Sequence, residues 1–341
     1  MDYGIGVIGV GRIASQRQIP NYLKAGLKIV AICDINEENL ESTKKRWGIE
    51  KAFTDYHKLL ELEEVKIVDI LTQSWVRPPI VKDSARAGKH IICEKPFARS
   101  MEEAHSLVKV AEEAGVKIAV HQPTRYYCPF ALAKILVQKG YIGEPFFFID
   151  DRCHYLDTNY YENPITRWHI HLDDFIPMEW GAHPFDIARW LFEKEPIEVY
   201  WSGTHMPYQN FKSEMAGACI ADFPSPLKAV FILHMADQSN ECYWHFRIEG
   251  KEGTIKGGIE PSSWLECYSK KLGSKWQRIE WTCKEAIEEV HGGPMFELIN
   301  AITEGREASN SGYDNLNTIR FCMAVLRSQQ EKRIVKLEEV K

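Results

Sequence analysis

Four groups of residues in this 341-residue chain have types and spacings that can do chemistry. The first is Gly9-Val10-Gly11-Arg12-Ile13-Ala14, a G-x-G-x-x-A pattern between an apolar run and a helical one. In such a loop the first glycine permits a tight turn and the second lets backbone approach a pyrophosphate. The small sixth residue allows close helix packing, and the helix N-terminal N–H groups receive the phosphate charge. Asp34 closes the next apolar run, 23 residues beyond Gly11. An acid about 20 residues on accepts hydrogen bonds from an adenosine ribose and repels a 2′-phosphate, which favours NAD over NADP. An isolated pattern of this kind also occurs as a ligand-free turn, and Asp34 also reads as a strand-end cap. The run–turn–helix context and the acid together favour the dinucleotide.

The second group is Glu94-Lys95-Pro96, directly after the apolar His90–Cys93. Ligands in open α/β sheets bind beyond the carboxyl ends of strands, so Lys95 stands where a substrate can lie. On physics alone it reads equally as a surface lysine in a stiff turn. The third is Glu179…His183-Pro184-Phe185-Asp186. On a helix, Glu179 and His183 share a face four residues apart, so the carboxylate can orient the imidazole. Pro184 interferes with a continuous helix because its ring meets the carbonyl of Trp180, so a helix start at Ala182 or His183 is the other arrangement. A histidine at a helix start is also an ordinary satisfied polar group. The fourth is His169-x-His171 with Asp173, which share a face for a metal only if the segment is a strand; no metal is expected. Arg152, His154, Tyr155, Asp157, Tyr160, Tyr161, Arg167, Trp168, His169, His171, Asp173 and Asp174 form a polar and aromatic stretch suited to recognising a substrate.

The elements that must position these groups follow from hydrophobic pattern. Buried-strand runs at Tyr3–Ile8, Lys28–Cys33, Ile67–Leu71, His90–Cys93 and Lys117–Val120 alternate with helices predicted at Ile13–Lys24, Glu37–Trp47, Pro78–Ala87 and Met101–Ala114. Ser100 and Glu103 make a capping box for the last helix. Runs apolar on both faces and separated by helices indicate a doubly wound parallel sheet. The rhythm changes after His121. Prolines and aromatics become dense, a short helix is predicted at Phe185–Phe192, and strands then succeed one another at Ile197–Trp201, Leu227–His234, Tyr243–Glu249, Gly253–Lys256, Trp264–Tyr268 and Trp276–Trp281. Helices return at Pro294–Thr303 and Asn315–Gln329. The reading is an α/β protein with a dinucleotide-binding domain over residues 1–122 and a substrate and oligomerisation domain with a mainly antiparallel sheet over 123–341.

Bulk properties narrow the function. With 42 basic and 48 acidic side chains the net charge is −6, which argues against a broad nucleic-acid or anionic-membrane surface. No apolar run approaches the roughly 20 residues that a spanning helix needs. No leader pattern is seen at the N-terminus, and nine cysteines without a C-x-x-C pair read as reduced core residues. A cytoplasmic location is expected.

The pieces Gly6–Ala14, Ala87–Pro96 and Gly181–Asp186 resemble, in order, the glucose–fructose oxidoreductase/inositol dehydrogenase (Gfo/Idh/MocA) family. Weaker likenesses are Arg125-Tyr126, Gly140–Gly143 and Gly250–Ile255. The resemblance implies a Rossmann domain followed by an α/β domain with an open, mainly antiparallel sheet, often used for oligomerisation, so a homodimer or homotetramer is expected. It implies reversible hydride transfer between NAD(P) and a secondary alcohol of a sugar, polyol or sugar derivative. The family's catalytic lysine and histidine fall on Lys95 and His183, and Glu179 stands where the family usually has Asp. Cofactor-binding positions are Gly9, Gly11, Arg12, Ile13, Asp34, Thr72, Glu94 and Lys95. Thr72–Arg77 departs from the family's usual T-P-N-x-x-H and keeps only Thr72. Two other readings remain at this point. One is a redox-neutral enzyme with tightly held NAD that transiently oxidises a glycoside or sugar; the other is a nonenzymatic NAD-binding sensor or scaffold.

Overall fold

The computed structural model of the chain describes residues 3–154, 167–206, 211–235, 241–281 and 292–341. Contacts divide it into two compact units: Met1–Tyr126 with Glu285–Ile319, and Tyr127–Lys284 with Arg320–Lys341. The sequence reading assigns everything after residue 122 to one second domain. The structure instead returns a C-terminal segment to the first unit.

The first unit holds six parallel strands: β1 (Gly4–Ile8), β2 (Ile29–Cys33), β3 (Lys51–Phe53), β4 (Val65–Ile70), β5 (His90–Cys93) and β6 (Ile118–Val120). Their order is β3-β2-β1-β4-β5-β6, so the winding reverses between β1 and β4. A short helix α1 (Ile19–Lys24) follows a π-turn at Ala14–Gln18; then come α2 (Glu37–Trp47), α3 (Tyr56–Leu60), α4 (Arg77–Arg86) and α5 (Met101–Glu113). The helix predicted over Ile13–Lys24 is formed, helical from residue 12 to 24 with a π segment over Ala14–Gln18, whereas β3 and α3 were not anticipated. At α5 the Ser100 hydroxyl accepts from the Glu103 N–H at 3.1 Å, while the Glu103 carboxylate accepts from the Arg99 N–H at 2.7 Å. The expected box is therefore present, reaching one residue farther back. Tyr127 precedes a helix α6 (Cys128–Gln138), unpredicted because its proline and aromatics masked the pattern.

The second unit is built on nine strands. They are β7 (Pro145–Cys153), β8 (Glu198–Thr204), β9 (Ala216–Asp222), β10 (Lys228–His234), β11 (Tyr243–Gly250), β12 (Gly253–Glu260), β13 (Trp264–Ser269), β14 (Lys275–Arg278) and β15 (Val335–Lys336). The order is β14-β13-β12-β11-β7-β10-β9-β8-β15, antiparallel except where β7 meets β10. Strands β7 and β9 were missed. Strand β9 is poor in large apolar residues for a reason: a Cβ on Gly217 would lie 2.4 Å from the ring of fully buried Trp201. Helix α7 (Ala182–Phe192) and the second part of α9 (Gly312–Glu331) cover one sheet face. There Phe185 stacks on Phe321 at 4.5 Å and meets Phe231 edge-on at 5.1 Å. From α6, Phe130 stacks on Phe246 at 4.5 Å. Before α9, helix α8 (Gly293–Glu304) places Met295, Leu298 and Ala301 in the core of the first unit, with Ile5, Val7 and Ile67.

No helix among the described residues is long and apolar enough to cross a membrane. All eight described cysteines are free thiols; Cys283 lies outside the described residues.

Along β7, Phe148 and Asp150 point into the covered face. Asp150 is fully buried and accepts from the Trp244 indole N–H at 2.8 Å. Burial pushes its carboxyl from 3.8 to about 7; the Trp244 hydrogen bond and Arg152 oppose that rise, and Asp151 adds to it. A carboxyl with a raised folded-state value binds its proton more tightly in the folded chain. Its contribution to stability is therefore greatest below about pH 4 and is lost as pH climbs through about 7. Asp150→Asn keeps the acceptor and cannot ionise, so its Tm falls less than the wild type's between pH 4 and 7. Parallel thermal-denaturation curves over that range would contradict the assignment.

Candidate active site

In the first unit, the glycine loop lies where β1 ends, at the reversal of strand order. Gly9 has φ +90°, and a Cβ there would lie 3.0 Å from the Leu71 carbonyl and 3.1 Å from Thr72 Cγ2, so only glycine fits. Over Gly11 the position of a Cβ is open, with no atom within 4 Å. Asp34, just past β2, accepts from the Val10 N–H at 2.7 Å and from the Asn36 N–H at 2.8 Å. The carboxylate is thus fixed against the loop. Arg12 and Ile13 are exposed beside it. Thr72 Oγ1 is buried with no hydrogen-bond partner in the described residues. Open space over the second glycine, an anchored acid and an orphaned hydroxyl fit a dinucleotide laid across this edge.

Glu94, Lys95 and cis-linked Pro96 run on from β5. The Glu94 N–H donates to the Ile70 carbonyl at 3.0 Å, and the Glu94 carboxylate accepts from the Lys95 N–H at 3.1 Å. Lys95 is half-buried.

The roles of two residues at this end were not read from sequence, Gln18 not at all and Arg77 only as part of the loop that departs from the family pattern. Gln18, buried in the π-turn, points its amide at the Glu94 carboxylate 3.5 Å away. A glutamine four residues after buried Ala14, on the core stripe of the helix, was the available signal. Arg77 stands where the family pattern has His and is almost fully buried. Its guanidinium donates to the Thr72 carbonyl at 2.7 Å and to the Pro96 carbonyl. It ties the loop after β4 to the turn after β5, which accounts for the departure from the family motif. Below them, Asp69 accepts from the Tyr22 hydroxyl at 2.8 Å and lies 2.9 Å from His121 Nε2. Burial works against charge on His121, yet Asp69 raises its pKa above the ordinary value.

In the second unit, Glu179 is buried in a π-turn, Phe175–Trp180, and His183 is the second residue of α7. The helix starts at Ala182, the second of the two arrangements compatible with Pro184. Pro184 then falls in the first turn, where a backbone donor has no helical partner to lose. The Trp180 carbonyl instead faces Arg152 Nη1 at 3.5 Å. The half-buried His183 ring lies 6.4 Å from that of Trp244, while Asp186 is buried 4.0 Å from Arg189. His169 and His171 lie in a 3-10 turn, Arg167–His171, so the strand geometry needed for a shared metal is not formed. Among the described residues, no group of three or more His, Cys, Asp or Glu side chains could hold a metal ion. Of the expected recognition stretch, Tyr155, Asp157, Tyr160 and Tyr161 lie outside the described residues.

Residues 3–122 match the family described as "Oxidoreductase family, NAD-binding Rossmann fold", and residues 130–256 match its GFO/IDH/MocA C-terminal domain. The chain belongs to the Gfo/Idh/MocA oxidoreductases. It is 27% identical to D-apiose dehydrogenase of Paraburkholderia graminis over 92% of this chain and 84% of that one. It is 26% identical to myo-inositol 2-dehydrogenase of Thermotoga maritima over 98% and 99%. A crystal structure of an oxidoreductase from Agrobacterium radiobacter, in complex with NAD+, L-tartaric acid and magnesium, superposes with a TM-score of 0.89 at 23% identity. It covers all of both chains, and the likeness shows the shared fold.

Removing the Arg77 tie leaves two carbonyls without their charged donor. Arg77→Met is expected to lower stability by about 2–3 kcal/mol and to weaken NAD binding several-fold. Chemical denaturation and calorimetric titration measure the two effects, and an unchanged NAD affinity would confine Arg77 to a role in folding.

Proposed function

We propose that this oxidoreductase reversibly oxidises a secondary alcohol of a sugar, polyol or sugar derivative, with NAD as its partner. The observation that carries the reading is Lys95 at the carboxyl end of β5, on the same edge of the sheet that presents the glycine loop and Asp34. The two sugar and polyol dehydrogenases that align over most of this chain support the substrate class.

Gly9, Gly11, Arg12, Ile13, Asp34 and Thr72 would hold the dinucleotide, with Glu94 and Lys95 at its reactive end. When bound, its nicotinamide supplies the hydride acceptor. The Asp34 carboxylate supports NAD over NADP, because it offers acceptors to ribose hydroxyls and repels a 2′-phosphate. In this mechanism His183 takes the proton of the substrate hydroxyl as general base. Lys95, as the ammonium, donates a hydrogen bond to the same oxygen and stabilises its developing negative charge. Glu179 holds the imidazole orientation and compensates the imidazolium.

Proton transfer by a positioned base contributes about 10²–10⁴-fold, and charge stabilisation away from water contributes comparably. Lys95→Ala and His183→Ala are therefore each expected to lower kcat by about 10²–10⁴-fold while NAD affinity stays within a few-fold. Steady NADH production at 340 nm on a sugar and polyol panel is the expected wild-type behaviour. Product without NADH would instead indicate a redox-neutral cycle, and wild-type turnover in either variant would remove that residue from the mechanism.

The sheet face opposite α7 exposes Tyr200, Ile220 and Ile232. Apolar side chains on one face support self-association, as a homodimer or homotetramer. Sedimentation velocity is expected to give one of those masses, and a monomer at micromolar concentration would exclude both.

A further inference from the structure

Gln18 is only 1% exposed, yet among the described residues its side chain makes one hydrogen bond, donated by Nε2 to the Glu94 carboxylate at 3.5 Å. Its Oε1 is buried and accepts from no group there. A carboxylate only accepts, so Glu94 sorts the amide. The NH2 faces Glu94, and the carbonyl oxygen and the second N–H are left over. Polar groups nearby are already engaged: the Tyr22 hydroxyl, one turn on, donates to Asp69 at 2.8 Å, and the other Glu94 oxygen accepts from the Lys95 N–H at 3.1 Å. A buried carbonyl oxygen without a donor is costly, and a donor on a ligand removes that cost. The backbone is irregular at the same place. In the π-turn Ala14–Gln18 the Ile19 N–H reaches back five residues to the Ala14 carbonyl, a winding frequent at functional sites.

The position of this amide says what it meets. In the order β3-β2-β1-β4-β5-β6, the glycine loop after β1 lies between two halves of the sheet edge. Asp34, after β2, marks the adenosine half. Glu94, after β5, lies on the other side, where the nicotinamide half of a dinucleotide runs. Gln18 sits against Glu94 and so belongs to the nicotinamide half. A primary amide with a carbonyl and an N–H to spare matches another primary amide, which offers the complementary pair. On that half the dinucleotide carries one such group, the carboxamide of the nicotinamide ring. A ribose hydroxyl presents a single oxygen instead of a paired donor and acceptor.

We propose that Gln18 recognises the reactive end of the cofactor: its Oε1 accepts from, and its second N–H donates to, the carboxamide of the nicotinamide ring. Glu94 holds the glutamine in the orientation this needs. A pinned carboxamide fixes the rotation of the ring about its bond to ribose, so that one face of the ring is turned toward the substrate. The proposal rests on the reading of this edge as an NAD site and names the residue that recognises the ring.

The test is isothermal titration calorimetry, with no alcohol present, of NAD, 3-acetylpyridine adenine dinucleotide and ADP-ribose. The second compound has a methyl group where the carboxamide NH2 stands, and the third has no ring. The proteins are wild type, Gln18→Met and Gln18→Asn, each checked for folding by circular dichroism. Gln18→Met keeps length and burial without the amide. Gln18→Asn withdraws the amide by one methylene and serves alone if the Met variant does not fold. Wild type is expected to bind NAD about 10-fold tighter than the acetylpyridine analogue. Both substitutions lower NAD affinity about 10-fold, remove most of that preference and leave ADP-ribose within about two-fold. Equal losses for NAD and ADP-ribose would show a role in folding only, and a preference for NAD that survives both substitutions would assign the carboxamide to another group. Either result overturns the proposal. So do a wild type indifferent to the analogue and an NAD affinity insensitive to Gln18, both of which leave the NAD reading intact. If neither NAD nor ADP-ribose binds wild type, the proposal and that reading fall together.

Discussion

Where a chain runs past the carboxyl end of a parallel strand, its backbone groups leave the ladder and must find other partners. In this protein charged side chains take them over. Asp34 accepts two N–H groups, one of them from the glycine loop; Arg77 donates to two carbonyls in successive loops; Glu94 accepts the N–H of Lys95. Each of these three loops is therefore held by a charged side chain. That rigidity brings Lys95 to a defined place at the end of β5, and it leaves the surface over Gly11 open.

The second unit solves a different problem with the same economy. Pro184 has no N–H to give the Trp180 carbonyl, so a helix cannot run through it unbroken. A π-turn at Phe175–Trp180 ends before Gly181, and α7 starts afresh at Ala182. The break puts His183 in the first turn of its helix, while the Trp180 carbonyl and ring both face Arg152. The fresh helix start, with His183 in its first turn, follows from one proline and one missing donor.

Much of this was legible in advance where local rules decide. Helix α2 was bounded correctly because Asn36 caps it with a hydrogen bond at 3.0 Å and Gly48 ends it at φ +67°. The Ser100–Glu103 box worked for the same reason. Strands β7 and β9 and helix α6 were not legible, because their stability comes from partners distant in sequence. Strand β9 offers small residues to accommodate Trp201, and α6 is held through Phe130 on the far strand β11. Gln18 escaped notice, and Arg77 was read only as part of a loop departing from the family pattern, because a buried polar side chain looks like any surface one until its acceptors are known.

By itself, the sequence determined the residues of the glycine loop, the acid that accompanies it, and the order in which lysine and histidine motifs arrive. These depend on spacing along a strand–turn–helix unit, which short-range geometry dictates. Only the tertiary structure decided that helix α8 completes the core of the first unit, that Arg77 clasps two loops, and that Arg152 lies between two indoles. Those arrangements need residues from different elements to meet, and their energies exist only once strands have paired and buried charges have found their partners.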